Sequence, residues 1–186
     1  MKLINTLLTI LFISLLSSPS WSITLDDLVE REGLYYEKFT DVPFSGEVTG
    51  SAQGSFKDGK KDGTWVAYHE NGQLKERANY KDGKWDGAAV GYHKNGKLRG
   101  KSSWRNGKKE GAWIFYFNNG ELRAKHNFKN DKSEGVWVYY YRNGQLSSKG
   151  NYKDDKKEGA WASYNEDGTV DKEYTGAYKN GLKISD

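Results

Sequence analysis

Apolar and polar positions recur along most of this chain with a fixed period of 24 residues. A tryptophan column stands at Trp65, Trp113, Trp137 and Trp161, with Ala89 in its place in the second unit. A glycine precedes each by two positions: Gly63, Gly87, Gly111, Gly135 and Gly159. A tyrosine follows three positions on, at Tyr68, Tyr92, Tyr116, Tyr140 and Tyr164. Then come Asn71-Gly72, Asn95-Gly96, Asn119-Gly120, Asn143-Gly144 and Asp167-Gly168, and two residues later Leu74, Leu98, Leu122, Leu146 and Val170. An aromatic column (Phe56, Tyr80, Trp104, Phe128, Tyr152) precedes a second turn at Asp58-Gly59, Asp82-Gly83, Asn106-Gly107, Asn130-Asp131 and Asp154-Asp155. Fixed periodicity of this kind marks a repeat architecture.

Each unit reads as two strands. Asn-Gly and Asp-Gly tolerate the positive φ of type I′ hairpin turns, and the flanks are rich in Trp, Tyr, Val and Thr. A glycine every dozen residues excludes a long helix. A two-residue loop at Asn71-Gly72 predicts Trp65 across from Ala78, Val66 from Arg77, Ala67 from Glu76, Tyr68 from Lys75 and His69 from Leu74. The same arithmetic sets Trp113 across from His126 and Trp137 across from Gly150, so three of the four indoles are expected to lie over a small or medium residue across from them. Side-chain alternation places Trp65, Leu74, Ala78 and Tyr80 on a packed face, and Tyr68, Lys75 and Arg77 on the other.

The expected fold is all-β: an elongated, twisted, single-layer antiparallel sheet of repeated hairpins. Two strands add roughly 10 Å of length per unit. Such units touch only their neighbours and need caps. Residues 23–53 read as an N-terminal cap. Thr24 is expected to start a short helix over Leu25 and Leu28 that Gly33 ends. Leu34 to Val48 is expected to form an irregular first hairpin bent at Pro43. Residues 54–186 form the repeat body, closed by a strand around Tyr174 to Gly181. The acidic column Asp62, Asp86, Glu110, Glu134 and Glu158, two residues after Lys60, Lys84, Lys108, Lys132 and Lys156, is expected to form ion pairs between rungs.

Composition sharpens this picture. The chain has 186 residues, 22 of them glycine, and no cysteine. Disulfides, thiolate metal sites and thiol nucleophiles are therefore excluded. Residues 1–22 have one charge, Lys2, before a short apolar run and the small residues of Ser20-Trp21-Ser22. This order predicts a secretory signal cleaved after Ser22 and a soluble, periplasmic or secreted product. Residues 23–53 carry a net charge of −5, and residues 54–186 carry +8.

The run G-x-W-x-x-Y, then N-G-x-L, then an aromatic-K-D-G-K-K-[DE]-G closing stretch, resembles MORN repeats, most closely the bacterial variant type. The leader Leu34-Tyr35-Tyr36-Glu37-Lys38-Phe39-Thr40-Asp41-Val42-Pro43-Phe44-Ser45-Gly46 resembles that of bacterial proteins catalogued as YwqK-type antitoxins of toxin–antitoxin systems. The resemblance spans about residues 33 to 181. It implies a β-hairpin scaffold for protein docking and, for the antitoxin label, an exported toxin as partner. The chain departs from the pattern at Ala89, with Trp85 four places early, and at the glycine-free turns Asn130-Asp131 and Asp154-Asp155.

Catalysis finds no constellation. His69 and His93 share a column with Phe117, Tyr141 and Asn165, and lie roughly 10 Å apart, too far to share one metal through ~2 Å bonds. His126 is expected to pack. No triad or phosphate loop is present, so a non-enzymatic protein without cofactor or metal is expected. The candidate binding face comprises Tyr68, Lys75, Arg77, Tyr92, Arg99, Lys101, Tyr116, Arg123, Lys125, Tyr140 and Lys149. Aromatics beside cations suit a protein partner or, alternatively, anionic lipid or glycan. Export argues against nucleic acid.

Overall fold

The computed structural model describes residues 22–185; the expected secretory leader lies, but for Ser22, outside them. The chain forms one long antiparallel sheet in which nearly every strand pairs with its neighbours in sequence, from Gly46–Val48 at one edge to Leu182–Ser185 at the other. A separate two-stranded ribbon, Leu28–Arg31 with Leu34–Glu37, precedes it. Among the described residues the sheet has no second layer, as the repeat predicts.

The N-terminal cap differs from expectation. The helix is a single 3-10 turn, Leu25–Asp27, capped by Thr24, whose backbone N–H and hydroxyl both donate to the Asp27 carboxylate, at 2.9 and 2.8 Å. Gly33 turns the two-stranded ribbon instead of ending a helix. Leu34–Glu37 therefore pairs backwards, and Gly46–Val48 pairs forwards with Ala52–Lys57. That strand also spans the expected boundary between cap and repeats. Leu28, Phe44, Val48, Phe56 and Trp65 form a small buried cluster beneath the cap.

Within the repeats the two turns have different geometries. Asp58-Gly59 has positive φ at both residues, 49° and 76°, and joins the directly paired Lys57 and Lys60, as a type I′ turn requires. At Asn71-Gly72 only the glycine does (79°). Gly72 N–H donates to the His69 carbonyl and His69 N–H donates to that of Gln73, both at 2.8 Å. The loop is therefore three residues long. The Asn71 side chain closes it locally, accepting from Gln73 N–H at 3.2 Å, and bridges to the next unit through the Lys94 carbonyl at 2.8 Å.

The third loop residue shifts the register. Trp65–Ala78, Val66–Arg77 and Ala67–Glu76 pair as expected, but Tyr68 pairs with Leu74, not Lys75, and His69 does not pair with Leu74. A bulge recurs here in successive units, with Tyr92 on Leu98, Tyr116 on Leu122 and Tyr140 on Leu146. Lys75, Arg99, Arg123 and Ser147 are the extra residues. Leu74 thus joins the tyrosine side of the sheet and leaves the tryptophan side.

Among the described residues the acidic column makes none of the expected ion pairs with the lysine column: Lys132 pairs across rungs with turn residue Asp154 (2.9 Å) and Glu110 with Arg105 (3.8 Å). Each carboxylate accepts the backbone N–H of the first turn residue one unit on: Asp62 from Asp82 (3.3 Å), Asp86 from Asn106 (3.2 Å), Glu110 from Asn130 (3.0 Å), Glu134 from Asp154 (3.2 Å) and Glu158 from Asn180 (2.9 Å). The glycine-free turns keep the same form. Asn130 and Asp131 stand at φ 50° and 69°, and the Asp131 carboxylate accepts Lys109 N–H at 2.7 Å. Asp155 does the same for Ser133 at 2.7 Å. The added bond offsets strain that glycine would have avoided.

A chain of rings holds the tryptophan side together. Phe56, Trp65, Tyr80, Trp85, Trp104 and Trp113 lie within 4.8–6.2 Å of their successors. Phe128, Trp137, Tyr152, Trp161 and Tyr178 continue the series. Such pairs contribute about 0.5–1.5 kcal/mol each beyond area burial. Trp65, Trp113, Trp137 and Trp161 each donate the indole N–H to the carbonyl ten residues earlier, all at 3.1 Å. The indoles therefore lean back over the preceding unit, not over the residue across from them. Beneath them lie Gly54, His126 and Gly150; an added Cβ on Gly150 would sit 2.1 Å from Trp161 Cδ2. Gly150→Val should therefore displace Trp161 and lower stability by roughly 1–3 kcal/mol. Urea unfolding followed by tryptophan fluorescence checks this; an unchanged midpoint would contradict the floor role.

Candidate functional site

The two sides of the sheet present different chemistry. On the tyrosine side, paired residues form one row running across the strands: Val66, Arg77, Val90, Lys101, Ile114, Lys125, Val138 and Lys149. Cations and β-branched residues alternate strand by strand, so the charges recur roughly every 10 Å. All four cations are exposed, and none makes a salt bridge among the described residues. Tyr68, Tyr92, Tyr116 and Tyr140 lie two residues along from the β-branched positions on the same side, half-buried against their leucine partners.

The bulge removes Arg99 and Arg123 from that row. Arg99 reaches over Gly91 on the tryptophan side, and its Nη2 lies 3.5 Å from the Glu76 carboxylate. Arg123 also stands on the tryptophan side, where its charge acts on His126 and Tyr139. Lys75 occupies the equivalent bulge position. The single expected face is therefore two faces. Arg77, Lys101, Lys125 and Lys149 share one with the tyrosines, while Arg99 and Arg123 border the rings on the other.

Sequence reasoning missed a hollow on the tryptophan side. It measures about 510 Å³, with Ala89, Gly91 and Gly100 as floor and Trp104, Trp113 and Phe115 as walls. Arg99 and Arg123 line it as well. The substitution at Ala89 was a visible signal, but two glycines inside strands read only as weak strand positions.

The histidine column is structural. His69 Nε2 bonds the Tyr92 carbonyl at 3.1 Å and His93 Nε2 that of Tyr116 at 3.0 Å; in the same column the Tyr141 hydroxyl donates to Tyr164 at 2.8 Å. A carbonyl only accepts, so Nε2–H is the donor in both bonds. His126 lies flat under Trp137, with ring centres 3.8 Å apart and planes 9° apart.

Segments 61–82, 85–106, 109–130 and 133–154 match the family described as MORN repeat variant. These four units are MORN repeats of the variant type. No curated protein matches the chain. Among solved structures, a chain of the GtfA/B complex bound to UDP and GlcNAc is similar at 13% identity and a TM-score of 0.26. That likeness covers 72% of this chain and 24% of the other, and is too loose to bear on function. The MORN match accounts for the columns, the turns and the sheet.

The packing of His126 predicts a pH response in the MORN sheet. Burial first, then the charges of Arg123 and Lys109, push its imidazole down from 6.5 to about 4. Below 6.5 the unfolded chain takes up a proton that the folded one resists, so stability falls with pH. The contribution should be complete above about 6.5 and lost progressively towards about 4. Denaturation midpoints measured across that window should slope for the parent and slope less for His126→Phe; equal slopes would contradict it.

Proposed function

We propose that this MORN-repeat chain is a non-catalytic, exported scaffold that binds a protein partner through the tyrosine side of its sheet. The observation that carries this reading is the row of four unpaired cations alternating with β-branched residues across an uncovered layer. An acidic, extended segment lying across the strands would meet one positive charge per repeat and apolar contact between charges. Half-buried tyrosines beside the row supply rigid aromatic contact area of the kind that concentrates binding energy. The leader's resemblance to YwqK-type antitoxins narrows the partner to an exported toxin, with this chain acting as an antitoxin or immunity-like factor.

The even spacing of the cations also favours a second reading, binding to anionic lipid or glycan at the envelope. Residues 23–186 carrying Arg77→Ser, Lys101→Ser, Lys125→Ser and Lys149→Ser together should discriminate. Capture from a periplasmic extract should recover a specific protein with the parent and lose it with the variant. Binding of the parent to vesicles of anionic lipid, lost in the variant without any protein captured, would favour the second reading. No specific capture and no vesicle binding by the parent would remove both.

A further inference from the structure

The second repeat has no ring at two positions where the third and fourth both carry one; its own ring stands at Trp85, and the first and fifth units have Ala67 and Ser163 at the second of these positions. Where it carries Ala89 and Gly91, the third has Trp113 and Phe115 and the fourth has Trp137 and Tyr139. Across from Gly91 stands Gly100, which adds no side chain either. The hollow is therefore walled by Trp85, Trp104, Trp113 and Phe115 and bordered by Arg123 and by Arg99, whose guanidinium lies over Gly91 and 3.5 Å from Glu76.

A fitting group stands elsewhere on the chain. Phe39 is fully exposed (103%) in the acidic leader, at a φ of 67°. A bulky residue in the left-handed region is strained, and such strain persists only where the surroundings impose it. Thr40 imposes it by donating to the Glu37 carbonyl from its N–H (3.2 Å) and its hydroxyl (3.1 Å). Arg31 grips the far side, bonding Asp41 at 2.9 Å and the Thr40 carbonyl. The ring is thus held out from the surface, with Glu37 and Asp41 each two residues away in sequence.

We propose that Phe39 of one copy inserts into the hollow at Ala89, Gly91 and Gly100 of a second copy. The ring adds an aromatic over Gly91, displacing the Arg99 guanidinium, and Glu37 comes beside Arg123; neither of these two makes a salt bridge among the described residues. The leader's −5 against the body's +8 favours the same approach. Two reciprocal insertions close as a two-fold dimer, in which the same pair of patches is used twice. The tyrosine side stays free, so this self-association stands or falls apart from the partner binding proposed above.

Sedimentation velocity of residues 23–186, from about 5 to about 500 μM, tests it. The parent should pass from monomer to dimer across that range. Phe39→Gly should weaken dimerisation at least about tenfold without lowering the thermal midpoint, because glycine relieves the strained φ. Gly91→Phe should weaken it as much by filling the hollow, with the Arg99 guanidinium, the far end of a long side chain, turned aside. Arg123→Glu, at an exposed position, should weaken dimerisation through charge. A mixture of Phe39→Gly and Gly91→Phe should regain part of the association, since each retains what the other lacks. A parent that remains monomeric throughout overturns the inference, even where free N-acetylphenylalanine binds the hollow. So does a dimer that none of the three substitutions weakens.

Discussion

The fold depends on an indole that leans backwards. A one-layer sheet has no opposing layer on which to bury its side chains, so each unit must bury its rings against its neighbours. Trp65, Trp113, Trp137 and Trp161 do this by reaching across to the unit before and donating to a carbonyl ten residues earlier. The bond satisfies a polar group that would otherwise be costly to bury. It also ties each hairpin to its predecessor. The residue beneath the indole must be small or flat, which is why Gly54, His126 and Gly150 can occupy one column despite their different chemistry. His126 meets the requirement as a flat ring, at the cost of a buried Nε2 with no partner.

Much of this architecture was legible in the residues. The period, the two-strand unit, the pairing of Trp65 with Ala78 and the type I′ form of Asp58-Gly59 all follow from local turn chemistry and alternation. The Asn-Gly loop was misread because the same dipeptide serves two geometries. A type I′ turn needs positive φ at both residues, while the three-residue loop needs it only at glycine. Asparagine in that column has other work: it closes the loop with its carbonyl and bridges to the next unit with its amide. Nothing local distinguishes these uses. The acidic column was misread for a similar reason, since a carboxylate two residues from a lysine looks like an ion pair until the backbone N–H of the next turn comes within reach.

One misplaced residue then redistributed the candidate site. A single extra residue per unit moves Leu74 to the tyrosine side and turns Arg99 and Arg123 towards the rings. The row Arg77, Lys101, Lys125 and Lys149 survived because it lies beyond the bulge, away from the loop, where register follows simple alternation. The hollow was legible only in part. Ala89 stood out against a column of tryptophans, but a cavity needs neighbouring absences, and the pairing of Gly91 with Gly100 appears only once the strands are in register.

The second unit shows how the sheet tolerates that absence. In the first, third and fifth units the position of Trp85 is held by Lys61, Lys109 and Lys157, whose ammonium groups lie 4.3, 5.3 and 4.5 Å from the rings of Trp65, Trp113 and Trp161. In the second unit Trp85 takes this place and sits 5.1 Å from both Tyr80 and Trp104. The ring series therefore passes through the unit unbroken even though its own tryptophan is Ala89. Had Ala89 been a simple loss, two rings would have faced a gap and the units would have come apart in packing at that rung. The displacement of one ring by four positions keeps the units coupled and opens the floor beside them. Continuity and hollow thus come from the same exchange of residues.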